Sequence, residues 1–443
     1  MTANLLAALV FCSGLVLTAP HEAKAHGIWA HVHVTGWAIE ALPEGELREF
    51  FKDEELLNAA HFGAAFTDSG YWPQGGELQK RGNAYSEHIH WEPFVEEFIH
   101  WVRANDPPPW TTQESKKRVA FLLGIASHGL QDEIFDSLFL FQVEEHDGAG
   151  QDEADPASDG ALVHAGKIRF MPTQYIPFDA LLEVFENTGL KVEAEDIQDC
   201  VDIMNFLYLN DGPGQEVALS MYDEYHAKLP WSFAHFFDAD IPGSIESEIQ
   251  PTAAYMEAVW KRLHAEFGEE DLLTHTYPGE EGTVLGTNHE SVDSWVTFIF
   301  GMGVNDSGPL FATLTDDDGT EIPVKTTGTR WGTDRGRLHR YMPQDDLIPG
   351  TWYNLRVPAG IELVDGTTTS EAMEVRFQAP CDPSPCPADE PTPEEEVEPD
   401  QPTVEEASGC TSRRSHGTGW VYLLIALAAL RVTRQVRGSG TST

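Results

Sequence analysis

The chain contains little cysteine and little positive charge. Five cysteines occur among 443 residues. No CxxC pair is present, so neither a disulfide framework nor a cysteine-based zinc module organises the fold. Only 27 lysines and arginines stand against 73 aspartates and glutamates, which gives a formal net charge of -46. Such a surface repels the phosphates of nucleic acids and anionic lipids. The composition therefore argues against a stable nucleic-acid partner.

Both ends of the chain predict an exported protein. An apolar stretch from Leu5 to Ala19, followed by the small-residue pattern AKA, is typical of a secretory signal peptide over residues 1–25. At the other end, residues 410–443 hold a short apolar run followed by arginines. This tail resembles the C-terminal surface-sorting signals of myxobacterial exported proteins, with an ordinary membrane-anchor helix as the alternative. We therefore predict attachment to a cell envelope or outer surface, with the membrane as a partner.

The residues between these ends predict two domains of different class. From residue 26 to about 270, apolar residues recur at helical spacing and no segment alternates convincingly as a strand. From 275 to about 380, turn sequences separate short alternating runs: SWVTFIFGMGV, PLFATLT, TEIPVKTT, TWYNLRV and MEVRFQA. The second region resembles a bacterial Ig-like β-sandwich, a type of module that usually serves as a spacer or in adhesion. The expected architecture is multidomain, with an all-α domain followed by a small all-β Ig-like sandwich.

Three smaller features complete this organisation. The acidic, proline-rich residues 381–409 predict an extended, disordered stalk. Cys381 and Cys386 are close enough in the sequence to form a disulfide, whereas Cys200 is expected to be a buried free thiol. The acidic, glycine-containing stretch from Glu144 to Gly160 is predicted to be a loop.

The strongest chemical signal is the pair His128 and Asp132 within FLLGIASHGLQDEIFDSLF. On a helix, residues four apart share a face, and an imidazole nitrogen with a carboxylate oxygen suits zinc. Asp136 extends this face by one more turn. Such a pair is more often an ordinary hydrogen-bonded surface pair. Here the flanking residues are apolar, and a buried charge needs a partner or a metal, so the motif predicts a metal site.

More histidines and one aspartate occur at predicted starts of elements or in loops of the same domain. One histidine at such a place is usually structural, whereas several in one domain favour a site. They are His31, His33, Asp68, His88 and His90.

Four segments of the helical region carry a family likeness: AHGIWAHVHVTGWAIEAL, GAAFTDSGY, SEHIHWEPF and FLLGIASHGLQDEIFDSLF. In order and spacing they resemble the zinc-dependent phospholipase C family. The likeness is closest to its glycosylphosphatidylinositol-specific phospholipase D branch, is more distant to the S1/P1 nucleases, and covers residues 26 to about 165. The resemblance implies an all-α phospholipase C/P1 nuclease-like domain and zinc-dependent hydrolysis of a phosphodiester by metal-activated water.

The resemblance also implies roles for individual residues. In the family, the first residue of the mature protein chelates zinc through its α-amino group and carbonyl, and a histidine ligand follows five residues later. His26 directly follows the predicted cleavage site, and His31 lies at that separation.

By the same resemblance, His90 and His128 complete one zinc site. Asp132 bridges to the zinc held by the mature N-terminus. Asp68 is the metal-associated catalytic base.

The third zinc site of the family is where this sequence departs. The family has a histidine one turn past the aspartate and then a His-x3-Asp/Glu pair. Asp136 stands at the first of these positions, and Gln151 with Asp155 at the second. We therefore expect two or three zinc ions, with a third site that is carboxylate-rich and weaker, that prefers a harder ion, or that is absent. Other residues near this register are Asp152, Asp159, His146 and His164.

Taken together, these patterns predict an exported zinc-dependent phosphodiesterase that hydrolyses a phospholipid or other lipid-linked phosphodiester. One alternative is a nuclease or nucleotidase of the same fold, which would need aromatic residues to stack a base; Trp29, Tyr71, Trp72 and Tyr85 are candidates. The altered third site motivates another alternative, a degenerate, non-catalytic surface or adhesion protein that keeps metal for stability.

Overall fold

The structure, a computed structural model, describes residues 26–73, 75–209, 213–305, 311–328 and 336–381. The predicted signal peptide, the stalk beyond Cys381, the pairing with Cys386 and the sorting tail lie outside the described residues. Described residues from His26 to Pro380 lie in one compact unit. Among the helices of the described part, none has the length and apolar character needed to cross a bilayer.

The first part of this unit is helical, as the apolar periodicity predicts. Its longest helix, α6, spans 22 residues and is almost entirely buried from Val119 onward. The α-helices are α1 Ile28–Ala41, α2 Glu46–Phe50, α3 Glu54–Phe66, α4 Gly76–Ile89, α5 Glu92–Asn105, α6 Gln113–Ile134, α7 Leu140–His146, α8 Gln151–His164, α9 Phe178–Asn187, α10 Ala194–Met204, α11 Pro213–Tyr225, α12 Pro230–His235 and α13 Ile249–His264.

Helices α3 and α6 touch through their backbones. A Cβ atom at Gly63 would lie 2.3 Å from the carbonyl oxygen of Phe121, and one at Gly124 would lie 2.0 Å from that of Ala60. Real Cβ atoms do not approach so closely, so glycine is required at both positions. This contact places the end of α3, which leads into Asp68, beside the middle of α6.

Helix α6 does not continue regularly to Asp136. It ends at Ile134, a π-helical turn follows over Phe135–Phe139, and α7 begins at Leu140. The wider turn changes the angular position of the residues that follow it, and such turns recur at functional sites. The regular helix that carries His128 and Asp132 therefore ends before Asp136, and a place for Asp136 on their face stays a prediction.

The stretch predicted as a loop from Glu144 to Gly160 is mostly helical. Residues up to His146 belong to α7, and α8 begins at Gln151. The Gly150 N–H donates to Glu153 Oε2 at 3.1 Å, which satisfies one free donor at the start of α8. Small buried residues of α8 also pack closely against α11. Because the stretch is rich in acidic residues, its composition did not indicate a buried helical face.

The second part of the unit is built from strands. They form a four-stranded sheet in the order β1-β3-β7-β6 and a five-stranded sheet in the order β2-β9-β8-β4-β5, and one apolar core contains residues of both sheets. The pairs are antiparallel except β2 with β9. The strands are β1 Leu273–Tyr277, β2 Gly282–Thr283, β3 Val296–Phe300, β4 Thr313–Asp316, β5 Glu321–Ile322, β6 Val324–Thr327, β7 Leu338–Pro343, β8 Trp352–Val357 and β9 Met373–Gln378.

The five alternating runs of the sequence all contain strands, but β1, β2 and β7 were not predicted. Strand β7 is buried on both faces for most of its length, so it lacks the apolar and polar alternation that marks a half-exposed strand. Its Leu338 belongs to the core of the helical part, together with Tyr277 and Ile299. The four-stranded sheet thus packs directly on the helices.

A fully buried arginine links the sheet to the helical part. Arg337 precedes β7 and donates from Nε and Nη2 to Glu133 Oε1 at 2.9 and 2.7 Å. Its Nη1 donates to the hydroxyl of Tyr255 at 3.0 Å, and its Nη2 reaches the carbonyl oxygen of His90 at 3.4 Å. Glu92 Oε2 lies 3.6 Å from Arg337 Nη1. These contacts join α5, α6, α13 and the sheet into one buried network.

We predict that Arg337→Met lowers the free energy of unfolding by about 3–5 kcal/mol, because removing one partner leaves a buried carboxylate without its counter-charge. Denaturant unfolding of the full chain measures this. Arg356→Met is the matched control, since Arg356 pairs with Glu374 on the surface of the β part and its loss should cost less than about 1 kcal/mol. Equal destabilisation by the two variants would show that the buried network does not stabilise the fold.

Candidate metal centre

Six predicted site residues from separate elements meet in one buried cluster. Among the described residues, three groups of histidine and aspartate side chains place ligand atoms within 4.8 Å of one another, and every member is buried. The groups are His26, His31 and Asp132; His31, Asp68 and His128; and His90, His128 and Asp132.

The tightest part of the cluster contains four converging atoms. Nε2 of His90 and Nε2 of His128 lie 3.1 Å apart. Asp132 Oδ2 lies 3.0 Å from the first nitrogen and 3.3 Å from the second. Asp68 Oδ1 lies 3.4 and 3.7 Å from the same two atoms. We name these four side chains the first centre.

These separations lie on both sides of the edge lengths of a metal coordination shell. A tetrahedral zinc site with bonds of about 2.0–2.2 Å to nitrogen and oxygen has ligand–ligand edges of roughly 3.3–3.6 Å. The five separations in the first centre run from 3.0 to 3.7 Å. The donor set of two imidazoles and two carboxylates also suits zinc.

Both imidazoles of the first centre are oriented by helix C-termini. His128 Nδ1 donates to the carbonyl oxygen of Ala64 at 2.6 Å, and His90 Nδ1 donates to that of Ser86. These carbonyls lie in the last turns of α3 and α4, where no helical N–H is available to them. Because a carbonyl only accepts, a hydrogen sits on Nδ1 of each ring, and whenever the ring is neutral the lone pair of Nε2 points into the cluster.

Asp132 connects the first centre to a second group. While its Oδ2 faces His90 and His128, its Oδ1 lies 3.0 Å from His31 Nε2. His31 Nδ1 donates to Gln131 Oε1 at 3.0 Å, and Gln131 Nε2 donates to Thr35 Oγ1 at 3.1 Å, which fixes the amide orientation. Asp132 therefore faces both groups of histidines, and its bridging of two ions, which the resemblance implies, stays a prediction. We name His26, His31 and Asp132 the second centre.

Helix α8 holds the segment that begins at His26. The N–H of Gly27 donates to Ser158 Oγ at 3.2 Å, and that of Ala30 donates to Asp159 Oδ1 at 3.0 Å. A Cβ atom at Gly27 would lie 2.0 Å from Asp159 Cγ, so glycine is needed there. The buried ring of His26 faces the cluster. Chelation by its α-amino group depends on cleavage after residue 25 and stays a prediction.

The electrostatic field of the cluster favours a cation. Burial alone would raise the pKa of Asp132, but His128 and His31 hold it well below its usual value. Burial also opposes ionisation of Asp68, yet His128 and His90 lower its pKa. For His90, burial lowers the pKa, but Asp132 and Asp68 outweigh this and raise it well above normal. Both carboxylates therefore stay charged and stabilise positive charge between these atoms.

The proposed third site is not assembled in the same way. Asp136 and Asp155 are buried, but they belong to none of the three groups found among the described residues. Gln151 Nε2 donates to Asp136 Oδ1 at 3.4 Å. His146 and His164 are exposed and stack on Trp231 and Tyr222. A role for Asp136 and Asp155 in a third site stays a prediction.

Two further histidines singled out in the sequence belong to none of the three groups and form hydrogen bonds with other segments. His33 Nε2 accepts the N–H of Arg169 at 2.7 Å, and His88 Nε2 lies 2.8 Å from Thr188 Oγ1. Of the aromatic candidates for base stacking, Trp29 and Tyr85 lie in the core. The ring of Tyr71 lies 5.8 Å from that of His90, and Trp72 packs on Tyr208.

Sequence reasoning missed two residues of this region. Gln131, which orients His31, precedes Asp132 directly and its amide offered no metal-ligand signal. Glu248 Oε1 lies 3.6 Å from His26 Nε2. Glu248 belongs to the turn before α13, more than 100 residues beyond Asp132. A search for acids at predicted helix starts would have included Glu248.

The chain is similar to curated phosphatidylinositol-glycan-specific phospholipases D. It is 29% identical to the Rattus norvegicus protein over 271 residues, covering 57% of this chain and 30% of that protein. It is 30% identical to the Homo sapiens protein over 255 residues, covering 53% of this chain and 29% of that protein. The chain thus spans about 30% of the length of these curated relatives.

The chain matches no known family profile. Likenesses to solved structures are weak. CopC from Methylosinus trichosporium OB3b is 16% identical with a TM-score of 0.19, over 25% of this chain and 93% of that chain. Domains 1–6 of the surface layer protein SbsC are 12% identical with a TM-score of 0.19, over 73% of this chain and 46% of that chain. TM-scores this low carry no argument about the fold. The curated relatives confirm a distant relationship to phosphatidylinositol-glycan-specific phospholipase D.

Proposed function

We propose that this chain is an exported, metal-dependent phosphodiesterase that hydrolyses a phospholipid or a lipid-linked phosphodiester. The observation that carries the proposal is the first centre, where two imidazole nitrogens and two carboxylate oxygens converge in a buried space with metal-site separations. The distant similarity to a phospholipase D supports the lipid-directed substrate class.

The side chains of the first centre fit the chemistry of phosphodiester hydrolysis. Bound divalent ions would polarise the phosphoryl oxygens and lower the pKa of a water molecule to about 7. Asp132 keeps its negative charge and presents one oxygen to each centre. Asp68, also charged, is the proposed base that orients the attacking water and accepts its proton.

We expect the full chain, with Zn²⁺ supplied, to hydrolyse phosphatidylcholine, an inositol phospholipid or a glycosylphosphatidylinositol-anchored reporter, and to leave single-stranded DNA intact. A chelator should abolish the hydrolysis, and added Zn²⁺ should restore it, because bound ions would polarise the phosphoryl oxygens and activate the water. Product release measured by mass spectrometry checks this. Cleavage of DNA but not of lipid would support the nuclease alternative. No cleavage of any of these diesters by zinc-loaded protein would support the non-catalytic alternative.

We predict that His128→Ala and Asp132→Ala each reduce bound zinc and lower the hydrolysis rate by at least about 100-fold. These residues supply atoms to the cluster, and loss of an outer partner alone costs about 10–100-fold. Elemental analysis and initial rates measure the two effects. His88→Ala is the matched control, because His88 lies on α4 near His90 but contacts Thr188. Full zinc content in the His128→Ala variant would contradict the assignment of the first centre.

A further inference from the structure

One face of α4 leads to His90. Gly82, Ser86 and His90 are spaced four residues apart, so they lie on the same side of the helix. Gly82 and Ser86 are buried, and they contact the short turn that follows Asp68. A single helix face therefore supports this turn and ends at a member of the first centre.

The turn that follows Asp68 lies directly on the backbone of α4. A Cβ atom at Gly70 would lie 2.1 Å from the carbonyl oxygen of Gly82, and one at Gly82 would lie 2.3 Å from that of Gly70. Real Cβ atoms do not approach so closely, so this contact requires glycine on both sides. Next to it, Ser69 Oγ and the hydroxyl of Tyr85 form a buried hydrogen bond of 2.8 Å.

Ser86 binds both the turn and His90. Its Oγ accepts the N–H of Gly70 at 2.8 Å, and its carbonyl oxygen accepts Nδ1–H of His90. The residue is fully buried, so water cannot replace either bond. One residue of α4 thus holds the backbone two positions after Asp68 and also the imidazole that faces Asp68.

The carboxylate of Asp68 depends on this backbone for its position. Asp68 Oδ1 has no hydrogen-bond partner among the described residues, yet it lies 3.4 Å from His90 Nε2 and 3.7 Å from His128 Nε2. The chain on either side of Asp68 therefore holds this oxygen in place. Before Asp68, helix α3 packs against α6, and after it the bond from Gly70 to Ser86 fixes the turn.

We propose that Ser86 is a positioning residue that sets the separation between Asp68 and His90. Its hydroxyl holds the turn after Asp68, its carbonyl holds the imidazole, and it acts through these two residues. The inference rests on the proposed function, in which both side chains belong to a metal centre. Outer hydrogen-bond partners of this kind orient the groups that bind a metal and tune its affinity.

The first test is the variant Ser86→Ala, which removes the hydroxyl but keeps the main-chain carbonyl that orients His90. The N–H of Gly70 then loses its acceptor, and Asp68 is free to move away from the imidazoles. We expect the metal-stripped full chain to bind Zn²⁺ at the first centre about 10–100-fold more weakly than wild type. Competition with a chromophoric chelator measures the affinity, and elemental analysis measures the number of ions.

The visible absorption spectrum of the Co²⁺-loaded chain distinguishes positioning from a loss of stability, because its bands depend on how the ligands are arranged. We expect these bands to change in Ser86→Ala. Tyr85→Phe removes the other hydrogen bond to the turn with little change of shape, and it should change the bands in the same direction. The test therefore does not depend on the folding of one variant.

Ser115→Ala is the matched control. Ser115 is another buried serine of a helix, and its hydroxyl donates to the carbonyl oxygen of Thr112 at 3.0 Å. It lies at the start of α6, away from the cluster. The control should keep the Zn²⁺ affinity and the Co²⁺ spectrum of wild type, even where it lowers the stability of the fold.

A double-mutant cycle tests whether Ser86 acts through Asp68. In an Asp68→Ala background no carboxylate remains to be positioned, so adding Ser86→Ala should change the Zn²⁺ affinity by less than about twofold. An independent effect would instead give the same loss of affinity in both backgrounds.

Wild-type Zn²⁺ affinity and an unchanged Co²⁺ spectrum in folded Ser86→Ala, or equal losses with and without Asp68, would overturn the inference. Weaker binding, altered bands and a loss confined to the background with Asp68 would support it. None of these measurements needs turnover. A chain that behaves in this way but cleaves no phosphodiester would refute the proposed function and leave the role of Ser86 intact, whereas a wild type that binds neither ion would refute both.

Discussion

The cluster depends on two imidazoles whose Nε2 atoms point at each other while their ring planes are nearly perpendicular. His90 and His128 each give their Nδ1 hydrogen to a carbonyl at the end of a helix, which leaves their Nε2 atoms 3.1 Å apart beside Asp132. In a dry interior, two such lone pairs and a carboxylate are stable only with a positive charge among them. A proton on His90 fulfils this need in the absence of metal, and a bound ion takes its place.

The β part contributes to the rigidity of this arrangement. Arg337 reaches the carbonyl of His90 and pairs with Glu133, the residue directly after Asp132. One buried guanidinium therefore fixes the backbone next to two of the converging side chains. Buried ion pairs often add little net stability, but they penalise alternative arrangements that leave a charge unpaired. The β part is thus better understood as a support of the cluster than as a detached spacer.

Local spacing and the family resemblance together singled out the six residues that meet in the cluster. His128 and Asp132 lie on one turn of a buried helix, and His26 and His31 meet because a helix begins between them. The partners that the sequence did not reveal come from distant positions. Glu133 and Arg337 are 204 residues apart, and the turn with Glu248 reaches the cluster only through packing on other elements. No local pattern encodes such contacts.

The errors in secondary structure have a related cause. Helix α8 is acidic and contains Pro156, so its composition indicates a loop, yet its small residues face α11 and the segment after His26. The π-helical turn after α6 has no spacing signal of its own, so the sequence did not indicate it. Both departures occur beside the cluster, where tertiary contacts outweigh local preference.

The charge of the cluster suggests how an acidic protein would accept an anionic substrate. The three groups of the cluster contain two carboxylates, Asp68 and Asp132, and both are buried. Divalent ions bound there would more than cancel these two negative charges, so a phosphodiester with a single negative charge would approach a locally positive centre. A nucleic acid would also bring its neighbouring phosphates against the remaining acidic surface of a chain with a net charge of -46, and that repulsion acts over about 10 Å at 0.1 M salt. The acidic surface and the proposed cations would therefore act together, and the selectivity for an isolated phosphodiester over a polyanion should weaken as salt increases.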